Sequence, residues 1–92
     1  MKKIVVRVEA REHLRESRQW YEERSPGRGS LFLRQFRFLA RRISEFPDSF
    51  PQSGESERRA FMGTYPFWVY YVIEADRIVV LAVLHASRRP RR

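Results

Sequence analysis

The chain has 92 residues, no cysteine, a 14% aromatic share and a net charge of +8 from 19 Lys+Arg against 11 Asp+Glu. That length suits one domain, residues 1–92, and the lack of cysteine excludes disulfides and thiolate metal sites. A hydrophobic share of 42% argues against disorder, and the cationic surplus favours polyanions or acidic protein segments as partners.

Met1-Lys2-Lys3-Ile4 is basic and then apolar, but the apolar run stops at Arg7, short of a signal-peptide core. The longest apolar stretch, from Ile78 to Leu84, is too short to cross a bilayer. A cytoplasmic location without membrane contact is therefore expected. His13 and His85 are too few for a zinc site, so neither metal nor cofactor is expected.

Residues 3–8 are β-branched and read as a strand, with Ile4, Val6 and Val8 on one face. Residues 10–24 read as a helix with a narrow apolar stripe, Ala10, Leu14 and Tyr21. Glu9, Glu12 and Glu16 suit its N-terminal half, and Arg15 and Arg11 can offset the repulsion between Glu12 and Glu16. Ser25-Pro26-Gly27 ends it. Residues 30–45 carry the strongest helical pattern in the chain: Phe32, Phe36, Leu39, Ile43 and Phe46 recur on one face. Leu31, Leu33 and Phe38 widen that zone, while Arg34, Arg37 and Arg41 form a basic stripe that reads as a solvated face.

Residues 47–57 form a loop whose charged members, Asp48, Glu55 and Glu57, are all acidic. A short strand over 58–62, a turn over 63–66, a strand over 67–73 and a last strand over 78–85 complete the domain. Runs apolar on both faces mark central strands. The order β-α-α-β-β-β predicts an α+β domain: two helices on one face of a mostly antiparallel four-stranded sheet. Arg88-Arg89-Pro90-Arg91-Arg92 reads as an exposed basic tail.

This order, with its local sequences, resembles the RelE/ParE superfamily of toxins from type II toxin–antitoxin systems. The matching segments run over nearly the whole chain: Trp20-Tyr21-Glu22, the Phe36/Leu39/Ile43/Phe46-Pro47 run, Arg59, Tyr65-Pro66-Phe67 with Val69 and Tyr71, and Ile78 to His85 followed by Arg88-Arg89-Pro90. The Tyr-Pro-Phe and His-x-x-Arg-Arg-Pro pieces are closer to the ParE-like branch. The resemblance implies a toxin held inactive by a cognate antitoxin, in a hetero-oligomer with it, and a role in plasmid stabilisation. ParE-like members are described as inhibitors of DNA gyrase; RelE-like members cut messenger RNA on the ribosome without a metal. A non-toxic antitoxin-binding relative is a third reading.

An RNA-cleaving member needs cations for the phosphate and a proton-transfer group. The family's basic position near the end of the second strand falls here on Met62, and no Tyr or His follows His85. His85 and Arg88 would be the catalytic pair if the chain were a nuclease; otherwise His85 is a strand-end histidine bonded to backbone. Arg58, Arg59, His85, Arg88 and Arg89 form the expected target-binding set, where a guanidinium cluster can hold phosphate or carboxylate. The alternative is a solvated basic edge that discourages aggregation. Trp68 and Tyr70 share one face of the third strand, and Phe67 and Tyr71 the other. One pair belongs to the core, and Trp68 and Tyr70 are the expected antitoxin-docking pair.

Overall fold

The computed structural model describes residues 1–87 and builds them as β1 (Lys3–Val6), α1 (Val8–Arg24), α2 (Arg28–Glu45), a 3-10 turn (Pro47–Ser49), β2 (Glu57–Phe61), β3 (Phe67–Ile73) and β4 (Arg77–His85). The strands form one sheet in the order β1-β4-β3-β2. β2–β3 and β3–β4 pair antiparallel, and β1 pairs parallel with β4. Both helices cover one face, which is the α+β arrangement the sequence predicts.

The predicted strand over 3–8 is shorter in the structure. Arg7 N–H makes the last ladder bond, to Val80 O at 3.0 Å, and Arg7 C=O then accepts Arg11 N–H at 2.9 Å. The chain therefore passes from strand to helix within one residue. Val8 does not share the face of Ile4 and Val6; it opens α1 and is 65% exposed. The helix-forming run that follows it, together with Glu9 in the first turn, outweighs the β preference of one valine.

The α2 period is realised as predicted over Phe32, Phe36, Leu39 and Ile43, all buried. Phe46 leaves the stripe. It is the C-cap, its backbone departs from helix at φ −133° and ψ 61°, and its ring is 57% exposed. Pro47 cannot continue the helix and starts the 3-10 turn. The predicted loop over 47–57 also holds an antiparallel bridge between Gln52 and Arg58.

Two features lock α1 to α2. Gly27 sits at φ +91°, which favours glycine, and turns the chain between the helices. The Glu22 carboxylate then reaches forward and accepts N–H bonds from Gly27 (2.9 Å) and Gly29 (3.1 Å). These bonds hold the Glu22 carboxyl below the usual carboxylate range. A Cβ at Gly29 would lie 2.7 Å from the Arg18 carbonyl oxygen, so the two backbones touch there.

The core is rich in aromatics. Phe32 packs on Tyr21 (centroids 5.4 Å), Tyr65 (5.5 Å) and Phe67 (5.1 Å), joining both helices to β3 and the turn before it. Fully burying each such ring stabilises the fold by roughly 1.5–3 kcal/mol. Phe67 and Tyr71 form the buried pair of β3. Tyr71 is fully buried, and its hydroxyl donates to Pro47 O at 2.5 Å, tying the end of α2 to the sheet.

Candidate functional site

β4 is longer than its parallel partner. Pairing with β1 stops at Val80, and beyond it residues 81–85 present an edge to which no strand of the described residues pairs. α1 crosses beside that edge. His13, Ser17 and Trp20 recur at i, i+4 and i+7 along α1 and face it across a groove of about 340 Å³, floored by Tyr21, Phe67 and Val83. The His13 imidazole caps the edge, its Nδ1 accepting Val83 N–H at 3.1 Å. The stripe of His13, Ser17 and Trp20 was legible as a spacing; its role depends on where β1 stops.

His85 closes the groove. Its ring stands edge-on to Phe67, with centroids 5.1 Å apart. Nδ1 lies 2.8 Å from Ser87 Oγ and accepts Ser87 N–H at 3.1 Å, so that nitrogen serves the local turn. Among the described residues, Glu16 is the one carboxylate in the groove lining, and no Lys or Arg belongs to that lining. Burial holds the Tyr21 phenol on the floor above its ordinary range. Met62 follows β2 and packs against the core, with its N–H donating to Phe67 O at 2.9 Å.

The two arginines of β2 do not converge. Arg58 pairs in register with Tyr71 and Arg59 with Tyr70, so alternation sends their side chains to opposite faces. On the helix side, Arg58 donates to Phe50 O (2.6 Å) and Asp48 O (3.3 Å), clamping the loop after α2. On the other face, the Arg59 guanidinium lies 4.0 Å from the centroid of the Trp68 ring. Register places His85 roughly 10 Å along the sheet and roughly 10 Å across it from Arg59. One phosphate cannot bridge that span. Arg88 and Arg89 lie outside the described residues, as does the rest of the expected basic tail.

The open face of the sheet carries Trp68 and Tyr70. Tyr70 is only 3% exposed, so Trp68 is the member of that pair with surface to offer. Phe61, exposed, packs beside it with the rings tilted 53° and their centroids 4.8 Å apart. Further along, Val5, Val72, Val79 and Leu81 line a hollow of about 400 Å³ rimmed by Arg7, Glu74 and Arg77. Arg77 is paired with Glu74 at 2.8 Å.

Among the described residues, no three His, Asp or Glu side chains converge as a metal site, and no helix is long and apolar enough to cross a membrane.

The sequence model of one protein family, described as the ParE toxin of the type II toxin–antitoxin system parDE, matches residues 4–90. The chain belongs to the ParE toxin family. The match spans both helices and all four strands, and so includes every element that builds the groove and the open face. A solved structure titled "Chromosomal ParDE TA system from P. aeruginosa" is similar in fold, with a TM-score of 0.68 at 12% identity over 92% of this chain and 96% of that one. No curated protein sequence matches the chain. Membership in the ParE family agrees with the ParE-like branch that the Tyr65-Pro66-Phe67 and His85 segments resemble.

Proposed function

We propose that the chain is the effector half of a type II toxin–antitoxin pair that acts in the cytoplasm by binding a protein target such as DNA gyrase. A cognate antitoxin neutralises it. The observation that supports binding over RNA cleavage is the character of the groove around His85. Among the described residues its lining holds an anion, Glu16, and no Lys or Arg, while Met62 packs into the core. Metal-independent cleavage of RNA requires cations around the scissile phosphate as well as a proton-transfer group. Arg58 is engaged by the loop carbonyls, and Arg59 points from the other face.

The antitoxin docks on the open face around Trp68 and Phe61 and extends to the free edge of β4. An extended peptide can add there as a strand through main-chain hydrogen bonds. A partner that orders on binding would bury a large area and raise the melting temperature of the complex.

The test is to induce the chain alone and follow DNA topology and translation in parallel, with His85→Gln beside it. Glutamine hydrogen-bonds but does not titrate near neutral pH. Topology is expected to fail first, and His85→Gln to remain toxic. Messenger RNA cut within codons by the native chain and left intact by His85→Gln would overturn the proposal.

A further inference from the structure

α2 presents a second apolar line, on the side away from its core. Leu31 and Phe38 are 47% and 60% exposed, while the buried positions of the helix are Phe32, Phe36, Leu39 and Ile43. Residues seven apart return to within about 20° of one another round a helix, so Leu31 and Phe38 stand in one line roughly 10 Å apart along the axis. Helical geometry puts Arg34 and Arg41, also seven apart, along one side of that line, and Gln35 and Arg42 along the other. Among the described residues, the guanidinium groups of Arg34, Arg41 and Arg42 have no ion-pair or hydrogen-bond partner. Glu45 occupies the next position of the line and ends it.

A single exposed apolar residue is ordinary. Two in heptad register, edged by three unpartnered guanidinium groups, form one half of a short coiled-coil seam, with apolar knobs on the line and charges on the flanks. We infer that the outer face of α2 is the surface that seizes the toxin's target, through an acidic amphipathic helix already formed on a folded target protein. This rests on the reading of the chain as a toxin that works by binding.

Three physical arguments select that occupant. A second copy of this chain would set Arg34, Arg41 and Arg42 against themselves, and like charges across a seam repel. Duplex DNA would demand cations on the line itself, where phosphates would approach; Phe38 and Leu31 stand there instead. A disordered segment, such as an antitoxin tail, would have to order about a dozen residues to cover this seam. Two half-exposed apolar side chains offset only a fraction of that entropy. A helix held by its own protein has already met that requirement. The sheet lies on the opposite side of the helix layer, so an antitoxin seated around Trp68 leaves the seam to be blocked by bulk rather than by direct contact.

The test uses fluorescence anisotropy with the purified full chain and three probes. These are a covalently stapled helical peptide with leucines at heptad spacing and glutamate flanks, the same peptide unstapled, and a DNA duplex. The stapled peptide is expected to bind, and Phe38→Ser to weaken it at least tenfold with no change in melting temperature. The double reversal Arg34→Glu/Arg41→Glu should abolish binding, and lysine flanks on the peptide should restore it. In cells, Phe38→Ser is expected to stop growth arrest while leaving the melting shift with the antitoxin intact. Unchanged peptide binding by Phe38→Ser overturns the inference. So does equal binding of the unstapled peptide, or DNA binding that needs the arginines but not Phe38. A native chain that binds the stapled peptide yet never arrests growth overturns the toxin reading and not the seam.

Discussion

The His13 imidazole stands where a fifth strand would pair, taking the Val83 N–H at 3.1 Å across 70 residues of sequence. Val83 is buried, so without that acceptor its N–H loses a partner away from water. His13→Ala should cost about 1–3 kcal/mol in denaturant unfolding and speed hydrogen exchange at the Val83 amide. If the Val83 amide exchanges at the native rate in His13→Ala, the ring is not what protects this edge. The same variant should accept an added strand more readily, because His13 no longer has to be displaced.

The Glu22 carboxylate serves as the cap of the following helix, and its pKa is depressed by the N–H groups of Gly27 and Gly29. A depressed carboxylate contributes stability that is present above its unfolded value and lost as pH falls through the folded one. The contribution should therefore fade below about pH 4.5, the ordinary value for the group. In Glu22→Gln, stability measured between pH 3 and 7 should lose this part of its acid dependence. An acid slope equal to that of the native chain would mean the cap is idle.

Gly29→Ala tests the close approach of the two helices. The added methyl meets the Arg18 carbonyl, which is backbone and cannot swing aside. Helix propensity alone would favour alanine by about 1 kcal/mol, whereas overpacking typically costs about 1–3 kcal/mol. Net destabilisation is expected, read as a lower melting temperature. A more stable variant would show that the hairpin can open without penalty.

Burial pushes the Tyr71 hydroxyl up to about 12. A raised folded-state pKa means the unfolded chain loses its proton first. Stability is therefore whole below about pH 10 and falls as pH rises from there toward 12, by an amount on the order of 2 kcal/mol. Tyr71→Phe should be weaker than the native chain near neutrality by about 1 kcal/mol, the net value of the bond to Pro47 O. It should also lack that alkaline decline. Parallel pH profiles of the two proteins would refute the assignment.

Phe36→Ala should cost about 3–5 kcal/mol, since the ring is buried between α2 and the sheet. Arg37→Ala, one residue on and exposed, should stay within about 0.5 kcal/mol. Equal losses in equilibrium unfolding would reverse the phase of α2.

Period carried the reading of the sequence wherever it repeats often enough. Phe32, Phe36, Leu39 and Ile43 fixed the buried face of α2, and Phe67 to Ile73 marked β3 at its observed limits. Period cannot say where a ladder stops, so it places Val8 in the strand and Phe46 on the stripe. Composition groups Arg58 with Arg59, but adjacent residues of a strand point apart, so alternation itself separates them. The groove lay beyond local pattern. It exists because the pairing of β1 with β4 stops at Val80, and because α1 returns His13 to the gap, 70 residues of sequence from Val83. The open face was visible as Trp68 and Tyr70, but which ring keeps its surface depends on neighbours from three strands.

β4 is the last strand of the described residues to leave the ribosome and occupies an interior position of the sheet, between β1 and β3. Until it emerges, β1 has no neighbour, and the helices have only the β2–β3 hairpin to pack on. A nascent chain thus holds β1 unpaired until β4 emerges, and closure of the sheet is a long-range event. Premature termination anywhere before Arg77 removes the strand that joins the two halves of the sheet. The two halves of the sheet are therefore joined in a single step, and every segment before β4 waits on it.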